Sequence, residues 1–157
     1  YTTLFRSHSK ETTRQIVTRF TIEESRVEKK KTDRKLRILL AEDNMVSQKV
    51  ATMMLKKMGH RVVVANNGQE AVQAFKDDEF DLILMDGQMP LMDGLEAAKT
   101  IRDAEEKSYM KRVPIIAFTA DAMKGDRERF LAAGMDDYIA KPVKRKALEE
   151  VIERVMG

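Results

Sequence analysis

Five short apolar runs dominate the pattern of this chain: Arg37-Ile38-Leu39-Leu40-Ala41, Arg61-Val62-Val63-Val64-Ala65, Asp81-Leu82-Ile83-Leu84-Met85, Pro114-Ile115-Ile116-Ala117-Phe118 and Tyr138-Ile139-Ala140. Runs of this length, rich in Val, Ile and Leu and without polar alternation, predict strands buried on both faces. Between them lie amphipathic stretches of helical length. Ala147, Leu148, Val151, Ile152 and Val155 form one helix stripe, and Val46, Val50, Met53, Met54 and Met58 are read as core filler on the first helix. Strands alternating with helices require crossover connections, hence a parallel sheet with helices on both faces. Ligands of such sheets sit beyond the carboxyl ends of the strands.

Polar groups collect at those ends. The first run is followed by Glu42-Asp43-Asn44, the third by Asp86-Gly87-Gln88, the fourth by Thr119-Ala120-Asp121 and the fifth by Lys141-Pro142. A single acid after a strand can be a helix N-cap. Four ends that supply carboxylates, a hydroxyl and an ammonium to one edge exceed what capping needs. Glu42, Asp43 and Asp86 in close company require a hard cation, and an oxygen-only ligand set suits Mg²⁺. Lys141 and Thr119 would then favour a small dianion beside it. None of the seven glycines forms GxG or GxxxxGK, which argues against a bound dinucleotide or a phosphate-cradling loop. A carboxylate that is itself phosphorylated remains.

The residues AEDN, LILMDGQMPLMDG, PIIAFTA and DDYIAKPV, in this order and spacing, resemble the receiver domain of two-component response regulators. The resemblance implies a doubly wound, five-stranded, flavodoxin-like α/β fold over residues 36–157. It implies that Asp86 is the phosphoacceptor, that Asp43 and Glu42 hold Mg²⁺ together with Asp86 and the backbone carbonyl of Gln88, and that Lys141 and Thr119 bind the acyl phosphate. It further implies that Tyr138 is a switch aromatic, that Gln88 and Asp121 tune phosphoryl lifetime, and that the fourth helix, fifth strand and fifth helix form a signalling face. Pro90, Asp93 and Gly94 read as turn and helix-start residues. Gly87 departs from the family, which usually places an apolar residue such as Val after the acceptor; glycine there loosens the backbone. His8 and His60 lie outside the metal set.

Charge divides the chain. Its 29 basic and 26 acidic side chains give +3 overall, but residues 1–37 hold 11 basic and 5 acidic groups and residues 38–157 hold 18 and 21. The basic excess therefore belongs to an N-terminal arm, taken as residues 1–35, and gives no reason to expect nucleic acid as a partner. Within the arm, residues 15–22 alternate as a lone strand would. Such a strand leaves open a homodimer through the arm, beside one through the signalling face. There is no cysteine and no apolar run of about 18 residues, so the expectation is a cytoplasmic location without membrane contact.

The expected partner is a histidine kinase or a histidine phosphotransfer protein. A start at Tyr1 and an arm that resembles the linkers of hybrid sensor kinases point to a hybrid histidine kinase as parent, against a stand-alone regulator. Two other readings are weighed. A haloacid-dehalogenase-type phosphatase places a second Asp two positions after its nucleophile, where this chain has Gln88. A degenerate receiver that only binds proteins would have lost part of the set Glu42, Asp43, Asp86, Thr119 and Lys141.

Overall fold

The structure, a computed structural model, describes residues 34–120 and 124–157. The strand expected at 15–22, the arm as a whole, and Asp121 lie outside the described residues. The described part alternates as the apolar runs predict: β1 Arg37–Ala41, α1 Met45–Lys57, β2 Arg61–Ala65, α2 Gly68–Asp77, β3 Leu82–Asp86, α3 Gly94–Lys107, β4 Ile115–Thr119, α4 Lys124–Ala132, β5 Asp137–Ala140 and α5 Arg145–Met156. All neighbouring strands are parallel, in the order β2-β1-β3-β4-β5. Strand order reverses between β1 and β3, so the crevice for a ligand opens at their carboxyl ends. No helix among the described residues is long and apolar enough to cross a membrane.

The sheet separates two apolar cores. One contains Leu39, Ile83, Met85, Ala97, Ile101 and Ile115, and the other Ile38, Leu40, Leu55, Leu84, Ile116, Phe118 and Leu148. Successive residues of one strand point to opposite faces, so each run of β1, β3 and β4 feeds both. Helix starts are fixed locally. The Asn44 carboxamide oxygen accepts from the N–H groups of Val46 and Ser47, that of Asn67 from Glu70, and the Asp93 carboxylate from Glu96, as the sequence predicts for Asp93.

Three expectations are corrected. β2 is not buried throughout: it is an edge strand, and Val64 is exposed because only β1 pairs with it. On α1 the buried residues are Ala51 and Leu55, with Met54 and Met58 half-buried against them, whereas Val46, Val50 and Met53 face solvent. The stripe at i, i+3, i+4 and i+7 that starts from Ala51 meets the sheet, and the other methionine and valines lie off it. Ala147 on α5 is likewise exposed, while Leu148, Val151 and Ile152 are buried.

His60 ties the start of β1 to the loop before β2. Its Nδ1 accepts the Leu36 N–H at 3.2 Å, and Arg61 N–H donates to the Leu36 carbonyl at 2.9 Å. Burial holds the His60 imidazole below its ordinary pKa. The unfolded chain thus binds the proton more readily, so stability falls as pH drops below the ordinary histidine value of about 6.5. Urea unfolding at pH 7.5 and pH 5.5 should show a loss of stability on acidification that is smaller in His60→Gln. His60→Ala should cost about 1 kcal/mol at pH 7.5 through the lost hydrogen bond.

Candidate functional site

The carboxyl ends of β1, β3, β4 and β5 bring the expected residues to one place. Asp86 and Thr119 are the last residues of β3 and β4, and Glu42 and Lys141 directly follow β1 and β5. Carboxylate oxygens of Glu42, Asp43 and Asp86 all lie within 4.8 Å of one another. The Lys141 ammonium bridges two of them, at 2.7 Å from Glu42 Oε2 and 3.0 Å from Asp86 Oδ2. Glu42, Asp86 and Thr119 are buried, and Asp43 is exposed at the mouth.

Asn44, not Glu42 or Asp43, caps α1. The capping explanation of those two acids therefore fails, and the cost of gathering them needs another account. With all three carboxylates ionised and Lys141 charged, the cluster carries two negative charges in excess. Hydrogen bonds relieve part of the cost: Asn44 N–H donates to Glu42 Oε1 at 3.1 Å and Gln88 N–H to Asp86 Oδ1 at 3.1 Å. Burial nevertheless pushes the Glu42 carboxyl above its ordinary range, against the hydrogen bond from Lys141, and the nearby Asp86 charge adds to the rise. Burial opposes the charge on Lys141, but hydrogen bonds to Glu42 and Asp86 outweigh it and hold the ammonium above its usual range. An oxygen-rich, anionic group of this kind fits a hard divalent cation.

Tyr138 on β5 lines an open pocket of about 510 Å³ with Phe130, Leu131, Met135, Arg127 and Arg154. In the β4–β5 register Ala117 pairs with Tyr138 and Thr119 with Ala140. Two-residue spacing puts Thr119 and Tyr138 on the same face of the sheet. Gln88 is exposed, two residues after Asp86. His60 is far from the site in the fold, at the start of β1, and His8 lies outside the described residues.

Several contacts were not foreseen. A Cβ at Gly94 would lie 2.0 Å from the Asp86 carbonyl oxygen, and Gly94 N–H donates to the Gly87 carbonyl at 3.2 Å. Gly94 thus lets α3 start against the backbone of Asp86 itself. A Cβ at Gly87 would meet the Phe130 ring at 3.3 Å, so glycine makes room for this buried aromatic instead of merely loosening the loop. The Gln48 carboxamide donates to the Glu42 carbonyl and to Asn66 Oδ1, fastening the β1 end to the β2 end. At the far edge of the sheet, Arg102 joins Glu105 and Asp136. The signal for that group was Glu105, a charge placed where Ala98 and Ile101 face the core.

With this geometry, the comparisons define the class. Residues 38–153 match the response regulator receiver domain, and the chain belongs to that family. It is 44% identical over 121 residues to hybrid signal transduction histidine kinase I of Dictyostelium discoideum, a match that covers 74% of this chain and 7% of the kinase. Probable histidine kinase 1 of rice is 39% identical over 150 residues, covering 78% of this chain and 16% of that protein. The chain thus spans a small part of the curated relatives it matches. Among solved structures, the receiver domain of sensor histidine kinase PA1611 from Pseudomonas aeruginosa, with a magnesium ion in its active site cleft, aligns with a TM-score of 0.71 at 45% identity, covering 79% of this chain and 99% of that one. The Saccharomyces cerevisiae receiver domain of Ssk1, crystallised with the histidine phosphotransfer protein Ypd1, is represented by an alignment with a TM-score of 0.74 at 37% identity, covering 77% of this chain and 88% of the matched chain.

Two glycine substitutions should have opposite signs. Gly94→Ala places a methyl against backbone that cannot yield and should destabilise by about 1–3 kcal/mol or more. Gly125→Ala in α4, where a Cβ meets nothing within 4 Å, should stabilise by roughly 0.5–1 kcal/mol. Urea unfolding of both variants checks the pair.

Proposed function

We propose that the chain takes a phosphoryl group from a phosphohistidine donor onto Asp86, in a Mg²⁺-dependent reaction, and relays the signal by a change of conformation. The observation that carries this reading is the Lys141 ammonium between Glu42 and Asp86, within a cluster of three carboxylates. An Asp86 carboxylate oxygen attacks phosphorus; the P–O bond forms as the P–N bond breaks, and the bonding pair stays on the imidazole nitrogen. Such a transfer depends on positioning and on stabilising charge over the phosphoryl oxygens. Lys141 supplies a fixed positive charge at the acceptor, and burial of Asp86 strengthens its effect. The hydroxyl of Thr119 is a donor for a phosphoryl oxygen. Glu42, Asp43 and Asp86, with the Gln88 carbonyl, would hold Mg²⁺, which when bound neutralises the carboxylates and the incoming phosphoryl charge. Water later cleaves the acyl phosphate, at a rate that Gln88 and Asp121 adjust in this reading.

A degenerate, binding-only receiver is disfavoured because the acids, Thr119 and Lys141 are all present at the same strand ends. The parent is a hybrid histidine kinase in this reading, with residues 36–157 as its receiver and 1–35 as a basic linker. The donor is a histidine kinase or a histidine phosphotransfer protein.

Incubation with acetyl phosphate and Mg²⁺, followed by intact mass, should show the gain of one phosphoryl group. The gain should vanish in Asp86→Asn and on chelation of the metal, and should slow sharply in Lys141→Ala; a wild-type chain that gains no mass sinks the reading. For the switch, Tyr138→Ala should be phosphorylated at the wild-type rate yet lose the phosphorylation-dependent change in amide exchange across α4 and β5. An unaltered exchange response would remove Tyr138 from that role.

A further inference from the structure

Helix α3 connects the two edges of the sheet. Its 14 residues span about 21 Å at the α-helical rise. At the acceptor edge, Gly94 rests on the Asp86 peptide, and only a residue without Cβ allows that approach. Toward the opposite edge, Arg102 engages several partners at once. Its Nε donates to the Gly134 carbonyl at 2.9 Å, one terminal nitrogen donates to Glu105 at 2.7 Å and to the Val113 carbonyl at 2.7 Å, and the other donates to Asp136 Oδ2 at 2.9 Å. The same Asp136 oxygen accepts the Ile115 N–H at 2.9 Å, and Glu105 Oε1 accepts the Val113 N–H at 2.7 Å. Arg112 adds a second guanidinium to Asp136. Glu105 is only 6% exposed and the Arg102 side chain 13%.

Replacement of a buried ion pair by apolar groups is often neutral or stabilising, so stability alone does not account for this cluster. Its contacts are geometric: they fix Gly134 and Asp136, the residues that lead into β5. That strand has four residues and β4 as its neighbour in the sheet. A slip of one residue along β4 would turn every β5 side chain to the other face, and Lys141 directly follows the strand. We propose that Arg102 is a positioning residue for Lys141. It sets the start of β5 relative to α3, whose other end lies against the acceptor's own peptide, and thereby holds the Lys141 ammonium on Glu42 and Asp86. The consequence for phosphoryl transfer rests on the function proposed above; the placement of Lys141 does not.

The test uses Arg102→Met combined with Glu105→Gln, which removes both charges together and leaves no buried carboxylate without its partner. Asp136→Ala removes both oxygens that the Arg102 and Arg112 guanidinium groups engage and serves as a second variant. In both, the Lys141 N–H, bonded to the Thr119 carbonyl at 2.8 Å, should exchange about tenfold faster while amides of β1 and β3 keep their rates. Phosphorylation of Asp86 by acetyl phosphate at saturating Mg²⁺ should slow by roughly tenfold or more, with Mg²⁺ affinity retained. Wild-type exchange at Lys141, equal acceleration throughout β1 and β3, or an unchanged phosphorylation rate overturns the proposal. A wild-type chain that accepts no phosphoryl group overturns the functional reading instead, and the exchange measurement then decides the positioning role alone.

Discussion

The ion pair between Lys141 and the carboxylates of Glu42 and Asp86 is the constraint from which the arrangement of the strand ends follows. Three strands must terminate at matching heights for one ammonium to reach 2.7 Å from one acid and 3.0 Å from the other. Parallel pairing in fixed register supplies this, and burial of both faces of β1 and β3 fixes the register. Truncation of a partner in such a buried pair leaves an uncompensated charge. The site and the core are therefore not independent: the cores hold the strands, and the strands hold the charges.

Much of this was legible in the sequence because buried parallel strands announce themselves as uninterrupted apolar runs. β1 falls where its run falls. β3 and β4 each lie one residue further along than their runs, at Leu82–Asp86 and Ile115–Thr119, because the backbone ladder starts after Asp81 and Pro114 and continues beyond the last apolar side chain. The convergence of Glu42, Asp43, Asp86, Thr119 and Lys141 followed from the direction of parallel strands, which places every carboxyl end at one edge. The half-exposure of β2 was not visible, since one strand's run carries no information about whether it has one neighbour or two. The inward stripe of α1 was missed because Met53 and Val50 match a helical spacing as well as Ala51 and Leu55 do.

The Arg102 cluster was illegible for a different reason. Its members are separated by up to 34 positions, and only the fold brings Gly134 and Asp136 beside a guanidinium on α3. The close approach of Gly94 to Asp86 was hidden in the same way. In sequence, this glycine is a helix-start residue next to its N-cap; in the structure it is the point where a helix touches the backbone of the candidate acceptor.

The division of labour between central and edge strands has one further consequence. Glu42, Asp43 and Asp86 are anchored to β1 and β3, which are enclosed by both cores, while Tyr138 lies on β5 at the border and Lys141 directly follows that strand. In a receiver so built, the residues that would grip an ion sit in the enclosed middle of the sheet, and the residues proposed to hold and report a phosphoryl group sit at its margin.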